Sequence, residues 1–214
     1  MALSDQVDNY CERVGPEFWS EPLNAVTNAA FLVAAIAAWL IWHRKTPDDL
    51  PALLLIVIVF ATGIGSFLFH TFATRWAGLA DVIPIALFIH IYLLFALRRF
   101  LALPWWAAIG IVILFFAASP FVIRALAPVA GSSAGYLPAL MAIFVVGALY
   151  YRKNFGFGGQ VLLSGAIFAA SIGFRMADEP LCAQWALGTH FLWHILNSIV
   201  LFALLRVLIL QRAG

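Results

Sequence analysis

The sequence predicts an all-α, polytopic membrane protein built as a seven-transmembrane helix bundle. Three observations predict it. Of the 214 residues, 64% are hydrophobic and 10% charged, whereas ordinary soluble domains carry roughly 25% charged residues. The apolar residues form long continuous runs rather than the alternation of a strand, which argues against a closed barrel. Basic residues gather at every second end of those runs, the pattern that successive membrane crossings leave. Mean hydropathy is +1.00, so lipid rather than a large internal core takes up most of the apolar surface.

Residues 1–22 form an acidic tail, with Asp5, Asp8, Glu12, Glu17 and Glu21 set against Arg13. The tail is polar and lacks the apolar core of a signal peptide. Residues 23–214 then read as a single membrane domain. The first run covers about 23–42 and ends in His43-Arg44-Lys45. The second covers about 51–70, with Pro51 suited to a first helical turn. The third covers 79–97 and ends at Arg98-Arg99, and the fourth covers 104–123. The fifth, 136–151, ends at Arg152-Lys153. A glycine-rich loop at 154–159 leads to the sixth at 160–174, and the seventh covers 185–210. A bilayer takes about 20 apolar residues per helix, so the fifth and sixth runs are short.

Seven crossings put the termini on opposite sides. The side opposite the N terminus then holds Arg44, Lys45, Arg98, Arg99, Arg152, Lys153, Arg206 and Arg212, eight of the twelve basic residues. The positive-inside rule makes that side cytoplasmic and leaves the N terminus on the exoplasmic side, periplasmic or lumenal. No basic cluster marks a nucleic-acid surface.

The same count brings chemistry together. Ser66 and His70 share one helix face at i, i+4, and Asp81 follows in the next run. His190 and His194 repeat the i, i+4 spacing and can grip one ion. All of these fall at the exoplasmic end of their runs. Two histidines from one helix and a third from another leave a fourth position open, as in a catalytic zinc site. Asp81 there can be a fourth ligand, a second partner to the ligands or a general base. It can also be a helix-dipole charge, and Ser66 can bond its own helix backbone. Trp193, beside His194, is placed to wall a pocket, while Trp19, Trp76 and Trp185 fit an interfacial belt. His43 and His90 read as hydrogen-bonded packing residues. In the tail, Asn9-Tyr10-Cys11-Glu12 and Glu21-x-x-Asn24-x-x-x-Asn28 offer oxygen ligands for a hard cation such as calcium. The composition also describes a solvated tail with helix-dipole acids, and it favours that reading. Cys11 and Cys182 fall on one side and can pair if that side is oxidising. As free cysteines they would need no explanation.

The combined pattern resembles the alkaline ceramidase family, within the seven-helix hydrolases that include the adiponectin receptors. The resemblance rests on Tyr10-Cys11-Glu12, Glu21-x-x-Asn24-x-x-x-Asn28, Ser66-x-x-x-His70 with Asp81, and His190-x-x-Trp193-His194. It implies zinc on His70, His190 and His194, with Asp81 orienting or deprotonating the zinc water and Ser66 supporting the water or the oxyanion. It implies calcium held by the tail through Glu12 and Glu21. Asn9 stands where the family usually has aspartate and Tyr10 where it has tryptophan, and Asp8 can supply the missing carboxylate. It also implies a Cys11–Cys182 disulfide. The adiponectin receptors lack this cysteine-containing tail and face the other way.

The expected activity is zinc-dependent cleavage of the amide of ceramide or a ceramide-like membrane lipid, releasing a fatty acid and a sphingoid-type amine. The alternatives are a hydrolase of another lipid amide or ester, and a non-enzymatic seven-helix lipid receptor. No inverted repeat or broken mid-membrane helix points to a transporter.

Overall fold

The computed structural model describes residues 2–213, and they fold as helices. Among them there is no strand, only an isolated bridge between Gln6 and Thr74. The elements are α1 (Pro22–Thr27), α2 (Ala29–Lys45), α3 (Leu50–Phe72), α4 (Arg75–Arg99), α5 (Trp105–Ala130), a 3-10 segment (Gly131–Tyr136), α6 (Leu137–Tyr151), α7 (Phe155–Leu181) and α8 (His190–Ala213).

Their boundaries follow local chemistry. Asp49 caps α3 by accepting from the Ala52 N–H at 3.2 Å, and Asn154 caps α7 by accepting from Phe157 at 2.9 Å. Side-chain oxygens at these positions satisfy amides that a helix start leaves unpaired. The glycines at 156, 158 and 159, expected in a loop, lie inside α7. A Cβ on Gly158 would overlap the backbone of Tyr150 and Tyr151. Its glycine therefore lets α7 start against the end of α6, and α7 reaches 27 residues. The chain from Trp185 to Thr189, expected to open the last helix, is a turn, and α8 starts at His190.

Six segments are long and apolar enough to cross a membrane: Pro22–Lys45, Leu50–Phe72, Arg75–Arg99, Trp105–Tyr151, Phe155–Leu181 and His190–Arg212. The fourth of these has 47 residues. A straight helix of that length would run about 70 Å, more than twice a hydrocarbon layer of roughly 30 Å. The chain breaks at the 3-10 segment, where Gly131 takes φ 53°, and α5 and α6 both line one apolar cavity. With 15 residues, α6 alone measures about 22 Å, so six long apolar segments stand out and a separate seventh crossing rests on this short helix.

The core gathers α2, α3 and α8. Ala34, Ala35 and Ala38 of α2 meet Leu55 and Val59 of α3 and Leu204, Leu205 and Leu208 of α8, all buried. Small residues let the helix backbones approach, the usual device of membrane bundles. By contrast α5 buries only Ala108 and Ala130 and exposes Ile113, Leu114, Phe116 and Phe121, as a lipid-facing helix does.

The tail is docked rather than solvated. Val7 donates to Ala73 O at 2.7 Å, and Arg75 and Trp76 donate to Asp5 O and Leu3 O, so the tail crosses the turn between α3 and α4. Cys11 is disulfide-bonded to Cys182, 171 positions away. Asp178, near the end of α7, then joins three pieces. One carboxylate oxygen accepts from Thr189 and His190, capping α8, and the other accepts from the Cys11 amide.

Candidate metal centre

His70 enters from the last turn of α3, and His190 and His194 from the first two turns of α8. Nitrogens of the three rings lie within 4.8 Å of one another, and all three side chains are buried. Nε2 of His70 and Nε2 of His194 stand 3.1 Å apart. Each of these rings is held by its other nitrogen. His70 Nδ1 lies 2.6 Å from Glu21 Oε2, and His194 Nδ1 lies 2.9 Å from Thr27 Oγ1. The Thr27 hydroxyl donates its proton to Leu23 O at 2.8 Å, so it accepts from His194. Glu21, a carboxylate, likewise accepts from His70. Both Nδ1 atoms therefore carry protons, and the two Nε2 atoms face each other across 3.1 Å.

With both rings neutral the two Nε2 lone pairs repel, and a metal ion or a shared proton between them relieves it. Two ligands of one tetrahedral ion with 2.0–2.1 Å bonds are separated by about 3.3 Å, so the spacing fits a metal. A buried carboxylate and a hydroxyl fixing ring orientation are the supports such ligands ordinarily have. The third ring, His190, has an Nδ1 with no partner and stacks on Tyr10 at a centroid distance of 3.8 Å. Burial pushes the Tyr10 phenol well above its ordinary range, so it stays neutral beside the rings.

Asp81 and Ser66 face the centre from α4 and α3. A Cβ on Gly65 would overlap the Ala80 carbonyl and crowd the Asp81 amide. Glycine there lets the two helices touch, and it brings the neighbouring Ser66 to Asp81. The buried Asp81 carboxylate is within electrostatic reach of Ser66, His70 and Arg175. Among the described residues nothing hydrogen-bonds its Oδ1. Trp193 is buried and packs on Tyr136 at 4.5 Å and Phe168 at 5.9 Å. Tyr136 and Phe168 in turn line an apolar cavity between α4, α6, α7 and α8, whose empty space is about 740 Å³, part of it open to the outside.

The tail carboxylates expected to hold calcium face other donors. Both oxygens of Glu12 accept at 2.7 Å from the Leu23 and Asn24 amides, capping α1. Glu21 accepts from Asn24 as well as from His70. Arg13 then fills the place of a cation: its Nε donates to Glu21 Oε1 at 2.5 Å, and its Nη atoms donate to Gly15 O and His70 O at 2.9 and 3.1 Å. A carboxylate and two carbonyls are the oxygens a calcium ion would use, and here they surround a guanidinium. These residues therefore do not fit calcium at Glu21. Burial alone would raise the Glu21 carboxyl; the hydrogen bond from His70 and the bond and charge of Arg13 outweigh it and hold it below the usual carboxylate range. Neither Asn9 nor Asp8 belongs to a cluster of three potential metal ligands among the described residues, where the three histidines form such a group.

His43 and His90 lie apart from the centre. His43 stacks on Trp39, and Nδ1 of His90 bonds Ala86 O of its own helix at 2.7 Å. Reading the sequence alone missed Thr27, the contact of Tyr10 with His190, the capping role of Asp178, and Arg175, which lies over Tyr136 and Trp193. A charged residue inside a run of membrane length was the available signal for Arg175.

No protein-family model matches the chain, and no curated protein matches it.

Proposed function

We propose that this chain is a zinc-dependent intramembrane hydrolase of a ceramide-like lipid amide, with seven crossings, the N terminus and the histidine centre exoplasmic, and the C terminus cytoplasmic. The observation that carries the reading is the pair of Nε2 atoms facing each other at 3.1 Å beside a buried carboxylate whose Oδ1 has no partner. Three neutral imidazoles match zinc better than calcium or magnesium, which take oxygen. A zinc ion bound there supplies Lewis acidity toward a carbonyl and acidifies water.

The chain's own residues provide the rest. Glu21 and Thr27 fix the tautomers of His70 and His194, so both Nε2 atoms remain acceptors. Asp81 Oδ1 takes the proton of the attacking water and returns it to the leaving amine. Ser66, hydrogen-bonded to Asp81, helps hold the water or the developing oxyanion. Trp193 walls the site, and the cavity behind Tyr136 and Phe168 takes the acyl chain. From Tyr136 to Val146 it follows α6 for roughly 15 Å, with Asn197 among its few polar groups. The basic ends of α2 and α4 and the Arg152-Lys153 pair after α6 support the orientation. A structural metal in a lipid receptor is the second reading, and the unpartnered Asp81 oxygen favours the hydrolase over it.

The test is fatty-acid release by purified, zinc-loaded protein from a panel of lipid amides and esters. Release from an amide, lost in Asp81→Asn with zinc retained, supports the reading. No release from any member, with one zinc bound per chain, removes it.

A further inference from the structure

Arg175 has no part in the hydrolysis described above. It lies within the apolar span of α7, where an ionisable side chain is costly and calls for a partner. One Nη donates to Ser132 at 2.9 Å and Ser133 at 2.8 Å, both in the 3-10 segment. The guanidinium lies over the rings of Tyr136 and Trp193, 5.3 and 5.8 Å from their centroids. Its Nε is buried and has no hydrogen-bond partner, and among the described residues no carboxylate stands within ion-pair distance of it.

Position and charge point the same way. Tyr136 touches both the guanidinium and the acyl cavity, and Trp193, whose ring lies under the guanidinium, precedes His194 on α8. Arg175 therefore stands where the acyl cavity meets the metal centre. Asp81 lies within electrostatic reach of the guanidinium, Glu21 is already paired with Arg13, and the Asp178 carboxylate is taken by the Thr189, His190 and Cys11 amides. The guanidinium's own partners are the two serines and the Tyr10 hydroxyl, which leaves a buried Nε with neither a hydrogen bond nor an ion pair, a donor that favours an anion.

We propose that Arg175 binds a carboxylate carried on the amine portion of the substrate, so that the preferred substrates are anionic lipid amides of the N-acyl amino acid class. This rests on the hydrolase reading and moves its substrate from a ceramide-like amide to one whose amine portion is anionic.

The experiment compares N-oleoylglycine with the neutral N-oleoylethanolamine on zinc-loaded protein in detergent. The parent should favour the glycine conjugate in kcat/KM. In Arg175→Gln the ratio of the two values should fall by about tenfold to a hundredfold, the scale of one hydrogen bond to a charged group. Arg175→Lys should keep more of it. An unchanged ratio in Arg175→Gln, with zinc content intact, overturns the inference and leaves the hydrolase standing. Inhibition by oleate that Arg175→Gln relieves without changing the ratio assigns the guanidinium to the released acid, and also overturns it. Should Arg175→Gln lose zinc or fold poorly, or the parent cleave neither amide, thermal stabilisation of the parent decides. A larger shift with N-oleoylglycine than with N-oleoylethanolamine supports the inference, and equal shifts overturn it.

Discussion

Glu21 Oε2 lies 2.6 Å from Nδ1 of His70, while its other oxygen takes the Arg13 guanidinium at 2.5 Å. One tail carboxylate thus links the chain's own buried cation to a candidate metal ligand. Glu21→Gln should keep the shape, weaken the acceptor and lower zinc affinity by about 10–100-fold, the usual cost of losing such a support. Competition with a chromogenic chelator measures it. Unchanged affinity would mean that His70 is oriented by packing alone.

Arg13 in place of a hard cation leads to a second expectation. Calcium chelation should leave the melting temperature and zinc content unchanged. Arg13→Ala strands Glu21, whose side chain is 3% exposed, and should destabilise by about 3–5 kcal/mol. Thermal melts with and without a calcium-selective chelator test both halves. A parent that melts lower once calcium is removed would contradict this assignment.

The Cys11–Cys182 bond fastens the tail to the turn before α8. Without reductant, neither cysteine should label with a thiol reagent. Cys182→Ala should lower stability by about 2–5 kcal/mol, less if the denatured state keeps its helices, and should loosen the tail from His190. Labelling and melting curves report this directly.

At the opposite end of the bundle, Asp49 makes two 2.7 Å bonds with Arg99. Burial raises the Asp49 carboxyl, but the bonds and charge of Arg99, the Ala52 amide and the charge of Arg212 outweigh it and hold it below the ordinary range. A lowered carboxyl stabilises the fold above its unfolded-state value, about 3.9. That contribution disappears as pH falls through the lower folded value. Melting temperature should therefore drop on acidification below about pH 4, and Asp49→Asn should flatten that slope. An equally steep slope in Asp49→Asn would place the acid sensitivity elsewhere.

Much of this was legible in the sequence because it depends on spacing. The i, i+4 pair at His190 and His194 and the return of the chain after His70 are enough to predict the three-histidine cluster. Contacts between distant residues were not legible. Thr27 meets His194 because α1 packs beside α8, and Tyr10 meets His190 because the tail folds over the helix ends; an acidic composition reads equally well as solvated chain. Glycines at 156–159 read as a loop because glycine usually breaks helices. Asn154 as a cap and the close approach at Gly158 reverse that reading. The 185–189 stretch is apolar enough to extend a helix, yet the Asp178 cap fixes the start of α8 at His190.

Removing and restoring the metal tests the central claim most directly. Fatty-acid release from a long-chain lipid amide is followed in purified protein as isolated, after zinc is stripped, and after one equivalent is returned. The account predicts that release stops on stripping and resumes on restoration, with His190→Ala and His194→Ala silent throughout. Release that persists without zinc, or an absence of release from every amide while one zinc per chain is bound, would contradict it.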